Sequence, residues 1–283
     1  MAGLLSAEVH HFTYGPITPI LAYAVSVLGS LLGLTCTARA RRLDPGARRG
    51  GWLMLAAWAI GGTGIWTMHF MAMLGFGVAG AALRFDIPIT VASAVLAVGV
   101  VGIGLFIVGL GKPSVVRVLL GGLFTGLGVA SMHYTGMAAL RVDGTISHSR
   151  NLVIASVVIA VVAATVALWF TLVVSKPGTT FASALVMGVA VCGMHYTAMA
   201  GVRVESTQPT LHLHGATAGT LLLPIIVLVV LVVVLLFYAL LSEPKEEDAA
   251  ARAFLDRQAA DRLAAQQATA AAQPIGVRRT RLR

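Results

Sequence analysis

Methionine and histidine are the two uncharged side chains best suited to hold a soft or borderline metal, and this chain spaces them alike three times. The copies are Trp66-Thr-Met-His-Phe-Met-Ala-Met73, Ala130-Ser-Met-His-Tyr-Thr-Gly-Met137 and Gly193-Met-His-Tyr-Thr-Ala-Met199. Each sets Met-His-aromatic at the same point, with a second Met four residues after the His. Residues i and i+4 share a helix face, so His69 with Met73, His133 with Met137 and His195 with Met199 can point the same way. Thioether and imidazole donors favour Cu(I), and a set free of thiolate and carboxylate adds no negative charge to a low-dielectric region. A lone Met or His in an apolar helix is ordinarily packing. Three copies in register favour a metal or cofactor site over a lining for protons or ions, and over packing.

These residues lie in apolar segments. The composition is 58% hydrophobic and 11% charged, far from the soluble norm. A bilayer core about 30 Å thick takes roughly 20 helical residues to cross, and seven stretches meet that length: near 16–38, 52–76, 88–111, 115–140, 151–175, 180–202 and 217–241. They are continuous rather than alternating, so they read as helices and not as barrel strands. The fold class is therefore all-α, a polytopic membrane protein with the lipid bilayer as its first partner.

The motif period fits this architecture. His69 to His133 is 64 residues and His133 to His195 is 62, the length of a helical hairpin. Gly62, Gly126 and Gly188 each stand seven residues before a His, two turns away on about the same face. Small residues there let helices approach closely. The turns Asp44-Pro45-Gly46, Lys112-Pro113 and Lys176-Pro177-Gly178 also recur. The chain thus divides into an N-terminal segment 1–15, a membrane domain 16–241 and a tail 242–283. Within the membrane domain the repeats are about 16–80, 81–145 and 146–205, and a closing span covers 217–241. Packing of spans two, four and six would converge three imidazoles and up to six thioethers.

Location of charge fixes the expected topology. The net charge of +9 suggests nucleic acid only until the charges are placed. Arg39, Arg41, Arg42, Arg48, Arg49, Lys112, Arg117 and Lys176 fall on one side with the basic tail, against Arg84, Arg141, Arg150 and Arg203 on the other. The positive-inside rule puts the N-terminus outside, the C-terminus inside and all three motifs near the outer face. Nucleic acid is not an expected partner. The first residues lack a basic n-region and a small-residue cleavage site, so the first span is expected to serve as its own insertion signal. Cys36 and Cys192 fall toward opposite sides, which argues against a disulfide.

At Met132-His133-Tyr134-Thr135 and Met194-His195-Tyr196-Thr197 the chain resembles the MHYT domain family. The first copy reads Met68-His69-Phe70-Met71 and lacks the Tyr. The resemblance covers roughly 10–241. It implies a bacterial plasma-membrane sensor domain that binds copper near the outer face and senses oxygen, carbon monoxide or nitric oxide. Carried onto this sequence, the ligands are drawn from Met68, His69, Met73, Met132, His133, Met137, Met194, His195 and Met199. Thr135, Thr197, Tyr134 and Tyr196 are candidates to orient the imidazoles. Family members are often joined to cytoplasmic domains that make or degrade cyclic di-GMP, or to histidine kinases. The stretch after Leu241 shows no phosphate loop, nucleotide motif or catalytic carboxylate set. The expectation is a non-enzymatic sensor with a separate cytoplasmic signalling partner.

Haem is the alternative cofactor, since His–His and His–Met pairs are common axial ligands. A metal or proton transporter ranks third, because few polar residues lie below the motifs. Cys192, three residues before His195, would suit copper, but Trp66 and Ala130 hold the equivalent positions. His10, His11, His212 and His214 lie in outer loops and read as solvated. Asp86, Asp143 and Glu205 are expected to pair locally with Arg84, Arg141 and Arg203. The stretch 249–272 reads as a short polar helix, and the basic end as a contact for anionic lipid.

Overall fold

The apolar runs fold into helices whose ends follow local chemistry. The computed structural model describes residues 6–206, 214–241 and 246–272; His212, Ser242–Lys245 and the basic end beyond Ala272 lie outside them. Helix α1 spans Ile17–Arg41. Helix α4 (Ile87–Gly109) starts where the Asp86 carboxylate accepts the Ile89 N–H, with Pro88 in its first turn. Such side-chain capping satisfies one of the donors a helix start leaves free. Helix α5 covers Val115–Ala138 and α6 Arg150–Val173. Helix α7 (Pro177–Met199) opens with proline at its first position, where the missing N–H costs nothing. Helix α8 is Ala218–Leu241.

Six of the described helices are long and apolar enough to cross a membrane. The second apolar stretch departs from the seven-span expectation. It is divided into α2 (Ala47–Ala57), a π-helical segment (Trp58–Thr67) and α3 (Met68–Met73), with helical dihedrals at both joins. Within it the Thr67 hydroxyl donates to the Gly62 carbonyl, five residues back. At the same motif position Ser131 bonds Leu127, four residues back, and α5 stays α-helical.

The helices form a closed ring in which each packs on two neighbours: π segment, α4, α5, α6, α7, α1 and back to the π segment. Consecutive hairpin partners are adjacent, as the repeat implies. The motif-bearing helices do not pack side by side, however. They alternate with α1, α4 and α6, giving the ring an approximate threefold symmetry, and they meet only along its inner face. Apolar side chains such as Val95, Ile103, Leu119, Leu123, Val158 and Val162 stay exposed on the outside, the surface a multi-pass membrane protein presents to lipid.

Short strands missed by the sequence reading tie the loops of the motif end together. Strands β1 (Ser6–Ala7), β7 (Val202–Ser206) and β6 (Gly144–His148) form one antiparallel sheet in the order β1-β7-β6. β2 (Val9–His10) pairs with β3 (Gly77–Val78), and β4 (Arg84–Phe85) with β5 (Leu140–Arg141). Phe85 exchanges both backbone hydrogen bonds with Ala216. The N-terminal segment and all the inter-helix loops at this end are thereby linked into one cap. At the opposite end Arg41 donates to the carbonyls of Thr171 and Val174 and Arg49 to that of Gly109. Both close the C-terminal ends of α6 and α4, where cations suit the dipole.

Residues 240–283 form a second compact unit. It contains α9 (Glu246–Ala272), whose side chains from 254 to 267 are all exposed, matching the expected polar helix.

Candidate metal centre

Three helices of alternating position each bring one imidazole to the ring's interior, just beneath the cap. His69 comes from α3, His133 from α5 and His195 from α7, each no more than 1% exposed. The Nδ1 of His69 stands 3.1 Å from Nδ1 of His195 and 3.2 Å from Nδ1 of His133. Ring centroids are 4.9, 5.0 and 5.1 Å apart, at interplanar angles of 82°, 79° and 80°. The rings thus form a pinwheel with nitrogens inward, a group of ligand atoms within 4.8 Å of one another.

Such an arrangement is costly as packing alone. A neutral imidazole has one donor and one acceptor, and burial without partners costs free energy. The Nε2 atoms of His69 and His133 have no hydrogen-bond partner. Protonation offers no relief, since three adjacent cations would have to share an apolar interior. A cation at the three inward Nδ1 atoms would relieve their mutual crowding by accepting three lone pairs at once, each ring then keeping its proton on Nε2. Three nitrogens around a trigonal ion with bonds of about 2.0 Å stand about 3.5 Å apart, so the observed cluster needs to open by only a few tenths of an ångström.

The six motif methionines are all buried, at 1% to 3% exposure, but they face different surroundings. Met73, Met132, Met137, Met194 and Met199 belong to the main apolar core. Met68 packs with Ala22 and Ala72 in a small separate cluster, alongside Cys192 and Tyr196. Cys192 is therefore not in the imidazole group. Met194 lines an apolar cavity of about 50 Å³ inside the ring, walled by Ile65, Val129, Ala160, Ala164 and Leu168. A cavity so lined stays dry.

The tyrosines do not orient the imidazoles. Tyr134 shares a 2.7 Å hydrogen bond with Ser156, and the buried Tyr196 hydroxyl has no partner. Phe70 packs edge-on to His69 and near Trp66 and Phe85. Asp86 pairs with Arg141 at 3.0 Å rather than with Arg84, because β4 and β5 lie in register and bring Arg141 across. Two histidines of the cap are partly buried, one of them His11, which the sequence alone reads as solvated. His11 lies against Phe76 and Phe12, and His148, which sequence reasoning passed over, lies 5.6 Å from the Tyr134 ring. Burial lowers the pKa of both. Position alone offered a signal for His148: it ends the loop between the second motif and the next span.

Fold and site together define a class, a helical membrane bundle built by repetition around a buried three-histidine centre. The chain belongs to the MHYT family, described as the bacterial signalling protein N-terminal repeat, which matches residues 62–122, 126–186 and 188–253. The matched units begin at Gly62, Gly126 and Gly188, the glycines seven residues before each His. The chain is similar to the bifunctional diguanylate cyclase/cyclic di-GMP phosphodiesterase MucR of Pseudomonas aeruginosa, at 36% identity over 68% of this chain and 28% of MucR. Similarity extends to the cyclic di-GMP phosphodiesterase NbdA of the same organism, 34% identical over 67% of this chain and 24% of NbdA. The signaling protein YkoW of Bacillus subtilis is 30% identical over 67% and 24%. The chain thus spans about a quarter of the length of these relatives. No solved structure matches it.

Proposed function

We propose that this chain is a membrane-embedded sensor whose input is a metal ion, copper by the softness of its donors, held by His69, His133 and His195. The observation that carries this reading is the convergence of three buried Nδ1 atoms with no carboxylate among them. Motif methionines complete the donor set; Met73, Met137 and Met199 are the best placed by sequence, one turn beyond their histidines. Bound there, a cuprous ion would offer an open position to a neutral diatomic molecule such as oxygen, carbon monoxide or nitric oxide. The protein's part is to hold the rings, exclude water with the apolar core, and offer at Met194 a dry cavity of diatomic size. Haem counts as the weaker reading, because a macrocycle needs a slot between its axial ligands and nitrogens 3.1 to 3.2 Å apart leave none.

The basic turns at the far end support an orientation with the cap outside and the C-terminal tail in the cytoplasm. There the tail would pass the signal to a cytoplasmic partner. Turnover of cyclic di-GMP, named for MucR and NbdA, is the process we assign downstream.

Metal analysis and an absorption spectrum on one detergent-purified sample test the reading. Copper near one equivalent, lost when His69, His133 and His195 are all changed to Ala, is the expected result. Copper-free protein from copper-replete cells would sink it, and a Soret band would transfer the site to haem.

A further inference from the structure

A buried centre needs a way in, and one face of the cap provides it. A cleft of about 590 Å³ opens between the end of α5 and the strands β5 and β6. It is lined by Tyr134, Met137, Ala138, Thr145 and His148, together with Arg141, whose guanidinium is held by the Asp86 carboxylate at 3.0 Å. Met137 is 2% exposed and one helical turn from His133. The His148 Nε2 and the His133 Nε2 are both buried without a hydrogen-bond partner. The cleft and the centre one helical turn from Met137 therefore offer imidazole, thioether and imidazole, all soft or borderline donors.

We propose that this cleft is the port through which a soft monovalent ion reaches the three-histidine centre, with His148 and Met137 as transfer ligands. The inference rests on the metal-sensor reading above. Transfer would proceed by ligand exchange: His148 and the Met137 thioether would replace water on the ion, and the His148 bond would break as His133 binds. No electron moves, and the Asp86 carboxylate beside the cleft is engaged by Arg141. Tyr134, packed edge-on to His148 and hydrogen-bonded to Ser156, forms the fixed wall of the passage.

The test measures loading rate apart from capacity. Metal-free full-length protein in detergent is mixed with silver ion, a redox-inert stand-in for Cu(I), and retained silver is measured after timed desalting. Two variants are compared with the parent. His148→Gln removes the soft donor, and Ala138→Trp fills the cleft from an exposed rim position without touching the core. Both are expected to slow loading on the order of tenfold, the low end of what outer-shell partners of a metal ligand contribute, and to reach the parent's final stoichiometry. Either variant loading at the parental rate overturns the port. Loss of stoichiometric silver at equilibrium in His148→Gln also overturns it, because His148 would then belong to the centre. A parent protein that takes up no silver at all refutes the metal centre itself, a different failure from either of these.

Discussion

The Nε2 edge of His69 rests against the backbone of Gly136, so closely that a β-carbon at 136 would stand 2.5 Å from it. The other two repeats carry Ala72 and Ala198 at this motif position, so the glycine is a local concession to one ring. Gly136→Ala is expected to push His69 out of the pinwheel. Overpacking of this kind costs about 1–3 kcal/mol, and the displaced ring loses its contacts with both other histidines. Lower thermal stability together with loss of bound metal is the outcome to look for. A variant that keeps its full metal content would show that the ring can shift without harm to the centre.

Glycine substitutions along the ring separate true close approach from mere repetition. Gly126 faces the α6 backbone, with Val161 Cα 2.4 Å from the β-carbon an alanine would add, and Gly61 faces the Ala97 carbonyl oxygen at 2.7 Å. Gly62, the repeat partner of Gly126, meets nothing nearer than 3.5 Å. Gly126→Ala and Gly61→Ala should therefore each destabilise by about 1–3 kcal/mol, since backbone cannot swing aside. Gly62→Ala should be neutral or slightly stabilising, given the helix preference for alanine. Melting in detergent decides it, and a Gly62→Ala as damaging as Gly126→Ala would contradict the packing described.

That contrast also shows what the sequence could and could not reveal. The hairpin repeat, the depth of His69, His133 and His195 and the polar helix after residue 246 follow from spacing and hydropathy, which act locally. Convergence of the imidazoles was legible because an equal register on similar helices leaves them at one level. The alternation of motif helices around a ring was not, since a three-copy repeat is equally compatible with direct packing. The π segment escaped because residues 58–67 are apolar and helix-compatible, and nothing in their spacing separates a five-residue from a four-residue backbone pattern. The strands of the cap are two to five residues long, too short for any alternation to register. The Asp86–Arg141 pair was invisible for the same reason, as only the β4–β5 pairing brings its partners together.

Tyr134 gives the family its third letter, yet its hydroxyl bonds Ser156 on α6 and not an imidazole. The first repeat already manages with Phe70. Tyr134→Phe is accordingly expected to keep the metal stoichiometry and lose about 1 kcal/mol of stability, the ordinary net value of one hydrogen bond. Metal analysis beside a melting curve checks both halves. Loss of metal without loss of stability would place the phenol in the centre's chemistry instead.

Acid should loosen the cap in two separable stages. Burial holds the His11 pKa below its ordinary 6.5, so the folded state favours the neutral ring. That contribution is complete above pH 6.5 and fades as pH falls through the lowered value. Asp86 behaves likewise lower on the scale. The Ile89 N–H and then the Arg141 guanidinium hold its carboxyl below the ordinary 3.8, so its contribution is complete above that value and is lost as the carboxylate protonates beneath it. Melting temperature measured from neutral pH downward should first decline once pH falls below 6.5, and His11→Gln combined with His148→Gln should flatten that limb. A second decline below pH 4 should vanish in Asp86→Asn, which keeps a capping oxygen but surrenders the charge that binds Arg141. An Asp86→Asn protein that still shows the lower limb would assign it to another carboxylate and leave the β4–β5 pairing to hold that corner of the cap alone.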